Sequence, residues 1–141
     1  MNKIIITKDP VHFSGHQGLL PKSLISVLEE SRIAELKLMR QQHEDLHEYC
    51  DEPAPWQRLD NDQFIAEFTW FKDKEPEIID DDYQPLKGYQ LSNINVTAKL
   101  IFVQKAYIKR QQLALGTRLI LKAIQVSKNE QTIENHMQDL M

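Results

Sequence analysis

Asp51-Glu52-Pro53-Ala54-Pro55 is the hardest constraint on how this chain can fold. Each proline lacks an amide donor and biases the residue before it away from helix, so no helix crosses this point. Before the break, Ile25, Leu28, Leu36, Met39 and Leu46 recur at helical spacing, and Val27, Ala34 and Leu38 widen the stripe. Pro21 suits the first turn of that helical region. Ser31 marks either a break into two helices or an interior position of one. After the prolines, Phe64, Ala66, Phe68 and Trp70 alternate with Ile65, Glu67 and Thr69, the period of a strand. Residues 72–85 are charged, hold two prolines and read as an exposed connection. Leu86 to Leu91 reads as a short strand around Gly88, and Val96 to Val103 as a strand apolar enough to be buried on both faces. At the start of the chain, Ile4 to Thr7 predicts a strand stopped by Asp9-Pro10, and residues 11–20, with Gly15 and Gly18, predict a loop.

Beyond Arg110 the pattern reads as helical, with Leu113, Ile120, Ala123 and Ile124 on one face, and a polar helix is predicted over residues 130–140. The order of elements predicts one α/β (or α+β) domain over residues 1–141. A mostly antiparallel sheet would sit at its centre, with a long N-terminal helical region and a C-terminal helix packed on the last strand.

The net charge of −4 conceals an uneven distribution. Residues 1–82 carry 18 acidic and 9 basic side chains, whereas residues 83–129 carry 8 basic side chains and no carboxylate. Residues 130–141 hold Glu130, Glu134 and Asp139 without a Lys or Arg. Such asymmetry suits a surface that meets an anion, or a basic segment that pairs with the acidic part of its own fold. Cys50 is the only cysteine, so there is no disulfide framework and no cysteine-based zinc site. The short apolar run near the N-terminus is stopped by Lys8, Asp9 and Pro10, and no window approaches a membrane span. A reducing, cytoplasmic setting is the expectation.

His43-Glu44-Asp45-Leu46-His47 spells H-E-x-x-H, the spacing that puts two imidazoles on one zinc ion with a glutamate to activate water. Here the motif lies in an acidic, polar run with a charge at Asp45 and no histidine extension. The expectation is a solvated helix end and no bound metal. His12 and His16 form a second such pair in a predicted loop. Ser14 lacks the G-x-S-x-G turn of a nucleophile, and Cys50 near a helix C-terminus lacks activation. Phosphate-loop and dinucleotide fingerprints are absent. No catalytic residue is assigned.

Residues 100–124, LIFVQKAYIKRQQLALGTRLILKAI, read as a buried strand, a basic turn and a helix. Gln111-Gln112-Leu113-Ala114-Leu115-Gly116 can be laid on the [Gln/Arg]-x-x-Gly-x-[Gly/Ala] loop of GNAT-type N-acetyltransferases, and the segment resembles their acyl-coenzyme A site. That resemblance implies an acyl-CoA-binding protein with acetyl-CoA as cofactor. Phe102 and Val103 would meet the pantetheine arm, and Gln111, Leu113, Ala114, Leu115, Gly116 and Thr117 the pyrophosphate. The physics of such a loop is that unpaired N–H groups and the helix dipole attract phosphate at a helix N-terminus. Lys105, Lys109, Arg110 and Arg118 would add positive potential. Ala114 replaces a glycine of the pattern, and only seventeen residues follow Ile124, so the implied acetyltransferase is shortened or catalytically incomplete. A homodimer would supply the missing strands.

The charge division supports an alternative from another class. This is a small, non-enzymatic interaction or regulatory protein that binds another protein or nucleic acid. It would use either its acidic N-terminal half or the basic segment 83–129.

Overall fold

A computed structural model describes residues 3–127, and β-structure dominates it. Strand β1 spans Ile4–Ile6, β2 Val11–Ser14 and β3 Gln17–Pro21. Helix α1 follows at Lys22–Gln42. Short strands β4 (Cys50–Asp51) and β5 (Trp56–Arg58) precede β6 (Gln63–Thr69) and β7 (Glu77–Ile79). The two longest strands come last: β8 (Asn95–Lys109) and β9 (Ala114–Val126).

Five of these strands close on themselves in the order β8-β2-β3-β6-β9, with β9 paired back to β8. Every pairing in the ring is antiparallel except β6 with β9, which is parallel at Phe68↔Leu119 and Thr69↔Ile120. A five-stranded Greek-key barrel connected in this way is an OB-fold. Strand β1 extends the sheet beyond β8, β5 lies beside β6, and β4 and β7 run parallel to β9.

The α/β expectation is therefore corrected, at three places and for identifiable reasons. Residues 11–20 are a hairpin, not a loop: Val11 and Phe13 point inward while His12 and Ser14 face out. Gly15, with φ of 63°, supplies the turn that joins β2 to β3. Residues after 113 are strand, not helix. In β9 nearly every side chain except Lys122 is at least partly covered, because neighbours flank the strand and both of its faces are packed. Such a strand has no period of two, and its apolar run imitates a helical stripe. Leu86 to Leu91 forms no strand, though a bridge joins Ile79 to Pro85 nearby. The predicted helix at 130–140 lies outside the described residues.

The helical region before the prolines is one helix, unbroken at Ser31, followed by a short 3-10 helix at Glu44–Glu48. Its first half lays Ile25 and Leu28 on the barrel core. Its second half reaches past the barrel. There β8 and β9 continue as a two-stranded hairpin, and Leu36 and Leu46 pack on Leu115, with Met39, Tyr49 and Ile108 around them. Within the barrel, Phe68 of β6 meets Phe13 of β2 at 5.9 Å and Phe102 of β8 at 5.1 Å, both edge to face.

Between helix and hairpin, Gln104 is 2% exposed and its amide donates to Glu35 at 3.4 Å. Burial holds the Glu35 carboxyl above its ordinary range, against the lowering effect of that hydrogen bond.

Truncating the ring at the centre of the barrel, Phe68→Ala, is expected to lower stability by about 3–5 kcal/mol in urea denaturation. Glu35→Gln should raise stability at neutral pH. The folded state holds the Glu35 proton more tightly than the unfolded chain does, so wild-type stability falls as pH rises through the window above the ordinary carboxylate range. The advantage of the variant should vanish when the melts are repeated below that range.

Candidate functional site

The cations of the basic segment gather on the two longest strands. Strands β8 and β9 carry Lys99, Lys105, Lys109, Arg118 and Lys122 and no carboxylate. Because Phe102 and Gln104 point inward, Val103, Lys105, Tyr107 and Lys109 project from the opposite, outer face. Register sets Lys105 opposite Arg118, Tyr107 opposite Gly116 and Lys109 opposite Ala114. Two cations directly across a strand pair repel, so this arrangement is unfavourable on its own and improves when an anion lies between them. Neither Lys105 nor Arg118 has a carboxylate partner among the described residues.

Tyr107 lies across Gly116. A β-carbon at position 116 would overlap the tyrosine hydroxyl and ring, so the glycine is what lets the ring rest on the sheet. The Arg118 guanidinium stands over that ring at 4.4 Å from its centroid, and Lys109 Nζ at 5.4 Å. These are cation–π distances, and they hold an aromatic ring and a guanidinium plane together on the surface.

Toward the hairpin tip the charges are compensated. Lys109 pairs with Glu52 at 3.0 Å, Arg110 with Asp45 at 2.5 Å, and Arg40 of α1 with Asp51 at 2.7 Å. The Arg110 hydrogen bond holds the Asp45 carboxyl below its ordinary range, and Asp45 in turn raises Arg110. The basic segment thus divides: its tip pairs with the acidic residues 45–52, and its middle, at Lys105 and Arg118, does not.

OB-folds commonly bind oligonucleotides on their second and third barrel strands, here β3 and β6. Those strands read QGLLP and QFIAEFT, with no Lys or Arg and with Glu67 exposed. At the turn between β2 and β3, His16 stacks on Trp70 at 4.2 Å and 12°. Trp70 also packs against the barrel core, which gives this pair a structural task.

The residues singled out in the sequence fall in several places. Phe102 is in the barrel core, and Val103 is on the outer face beside β1. Gln111 and Leu113 sit in the loop from β8 to β9, while Ala114, Leu115, Gly116 and Thr117 begin β9. No helix starts there, so the unpaired N–H groups and dipole that would hold a pyrophosphate are missing. His43 ends α1 and His47 lies in the 3-10 helix, so the two do not share one helical face. No group of three or more metal-ligating side chains occurs among the described residues. Asp80 organises a turn, its carboxylate accepting from Asp82 N–H at 2.8 Å and Gln84 N–H at 2.9 Å. The sequence reading did not place Tyr107 at the site. The signal available was the period-two run Lys105-Ala106-Tyr107-Ile108-Lys109, which puts two cations and an aromatic on one face of a strand.

Among solved structures, the fold is similar to that of gp2.5, a single-stranded DNA binding protein encoded by bacteriophage T7. The TM-score is 0.67 and sequence identity 8%, over 90% of this chain and 87% of that one. No protein-family model matches the sequence, and no curated protein matches it. The barrel and this likeness overturn the expected acetyltransferase character and the expected acetyl-CoA cofactor.

Gly116→Val should drive Tyr107 off the sheet and cost about 1–3 kcal/mol, the range for overpacking. In a double-mutant cycle the loss should shrink in the Tyr107→Ala background, because the ring that the new side chain strikes is then gone and the Glu52 β-carbon, 2.9 Å from a β-carbon at 116, is the contact that remains.

Proposed function

We propose that the protein binds single-stranded nucleic acid, without strong sequence preference, along the outer face of the β8–β9 hairpin. The observation that carries this reading is the facing pair Lys105 and Arg118 with Tyr107 beside them. Single-strand binding needs cations that track the backbone and flat groups on which bases stack. Lys105 and Arg118 supply the first. Tyr107 and the Arg118 guanidinium supply the second, at a contact that tolerates any base because every base has a π-face. The similarity to a single-stranded DNA binding protein of phage T7 supports the same class of ligand, although a shared barrel alone does not dictate what it binds.

Electrostatics sets the character of the binding. The chain as a whole is acidic, with a pI near 5.7, so attraction is local to one face and opposed by the rest of the surface. Affinity should therefore fall steeply as salt is added. Among the described residues no helix is long and apolar enough to cross a membrane.

Fluorescence anisotropy with a labelled oligothymidylate, over a salt series, tests the proposal. Lys105→Ala with Arg118→Ala should weaken binding and flatten the plot of log K against log salt by about 1.4, two contacts at about 0.7 each. Tyr107→Ala should cost about 1–3 kcal/mol with little change in slope. Absence of binding at low salt, or a double variant that binds as wild type does, would overturn the reading.

A further inference from the structure

The loop from β8 to β9, Arg110-Gln111-Gln112-Leu113, breaks two local rules at one residue. Leu113 has φ of 50°, in the left-handed region that glycine and asparagine adopt readily and a leucine adopts under strain. Its side chain is also 53% exposed, and it takes no part in the small core formed by Leu36, Leu46 and Leu115. Strain of this kind persists only where the surroundings enforce it. Here they do. The Leu113 N–H donates to Arg110 O at 3.3 Å, and the Leu113 carbonyl accepts the Cys50 N–H at 2.9 Å. The next residues are clamped as well, Glu52 N–H donating to Leu115 O at 2.6 Å. A rigid backbone thus presents an apolar side chain at the tip of a hairpin whose neighbours are Lys109, Arg110, Gln111 and Gln112. Tyr107 and Arg118 lie a few residues down the same hairpin.

We propose that Leu113 is a wedge that enters between adjacent bases, unstacking the bound strand. The inference rests on the single-strand reading and adds an activity to it. Apolar side chains, leucine among them, are inserted between base steps by proteins that deform nucleic acid, and the loss of stacking is offset by contacts that the opened strand makes elsewhere. The tip provides those contacts. Arg110 is held by an exposed ion pair, which a polyanion can replace at little loss, and Lys109 by a half-exposed pair with Glu52 and by the Tyr107 ring. Gln111 and Gln112 offer amide donors and acceptors beside the wedge. The occupant that suits an exposed leucine flanked by two cations, each able to exchange its carboxylate for a phosphate, is an anionic strand with apolar faces, which is what unstacked nucleic acid presents.

The test uses an oligoadenylate with a central 2-aminopurine, whose fluorescence rises on unstacking, and a short duplex whose fraying is followed by absorbance. Leu113→Gly keeps the left-handed backbone and relieves its strain, so the variant should fold at least as well as wild type. Wild type should raise the fluorescence and lower the duplex melting temperature. Leu113→Gly should bind oligothymidylate within about threefold of wild type yet lose most of the fluorescence rise, while its effect on duplex melting, which follows single-strand affinity, stays near that of wild type. A variant that unstacks as wild type does, or a wild type that binds without unstacking, overturns the wedge. Failure of wild type to bind any oligonucleotide instead overturns the single-strand reading beneath it. Sedimentation without oligonucleotide closes the remaining route: if Leu113→Gly dissociates a dimer, the leucine is buried against a second copy and the wedge is overturned.

Discussion

The antiparallel ladder between β8 and β9 is the contact on which the other parts depend. It pairs residues 98–109 with 114–126, and its register shifts once, between Ile101 and Phe102, where Lys122 is the extra residue on β9. On both sides of the shift the ladder closes the barrel, since β8 carries β2 at residues 95–98 and β9 carries β6 at Leu119 and Ile120. Past Gln104 and Leu119 the same ladder leaves the ring as a hairpin, with β4 along β9 at Ala114 and Leu115. A bulge bends and twists the strand that holds it. The bulge thus bends β9 where it curves around the barrel, at a position where the extra side chain is a solvated lysine.

That projection explains what the helix and the acidic segment do. A two-stranded hairpin is marginal alone, because one of its faces needs cover. Leu36, Leu46 and Tyr49 provide it on the inner side, and the Cys50–Asp51 strand adds hydrogen bonds along the edge of β9. The acidic residues Asp45 and Glu52 arrive with this cover, which is why they meet the cations at the tip. Their exposed ion pairs contribute little to stability. Their larger effect is to leave farther down the charge that no carboxylate pairs among the described residues, at Lys105 and Arg118 beside Tyr107. On the opposite face Val103, Ile120 and Ala114 are buried, and the exposed Lys105 and half-buried Arg118 carry its charge.

How far the sequence disclosed this follows from local physics. Ile4–Ile6, Gln63–Thr69 and the core of β8 were legible because they alternate or are rich in β-branched and aromatic residues. The helix over Lys22–Gln42 was legible from its stripe, and its end from the prolines that follow. Strand β9 was not. A strand packed on both faces carries apolar residues at nearly every position, so its spacing fits a helix as well, and Gly116 looked like a loop glycine. The glycine answers to a contact with Tyr107 nine residues earlier in the chain, which no local pattern contains. The basic character of residues 83–129 was plain, and so was the choice between internal pairing and an open surface. Both turn out to be present, separated along one hairpin by a few residues.

The same geometry explains why the proposed site departs from the usual face of the fold. On β3 and β6 the outward positions are Gln17, Leu19, Pro21, Gln63, Ile65, Glu67 and Thr69, a surface that no phosphate backbone would favour. Three aromatic residues there, Trp56, Phe64 and Trp70, pack against the barrel core. A cationic groove therefore cannot form where the barrel is most closely packed. It can form where a strand pair runs clear of the core and has one face to spare. On that face, charge repulsion between Lys105 and Arg118 is tolerated because the ladder fixes their backbones. A bound strand would relieve the repulsion by placing a phosphate between them.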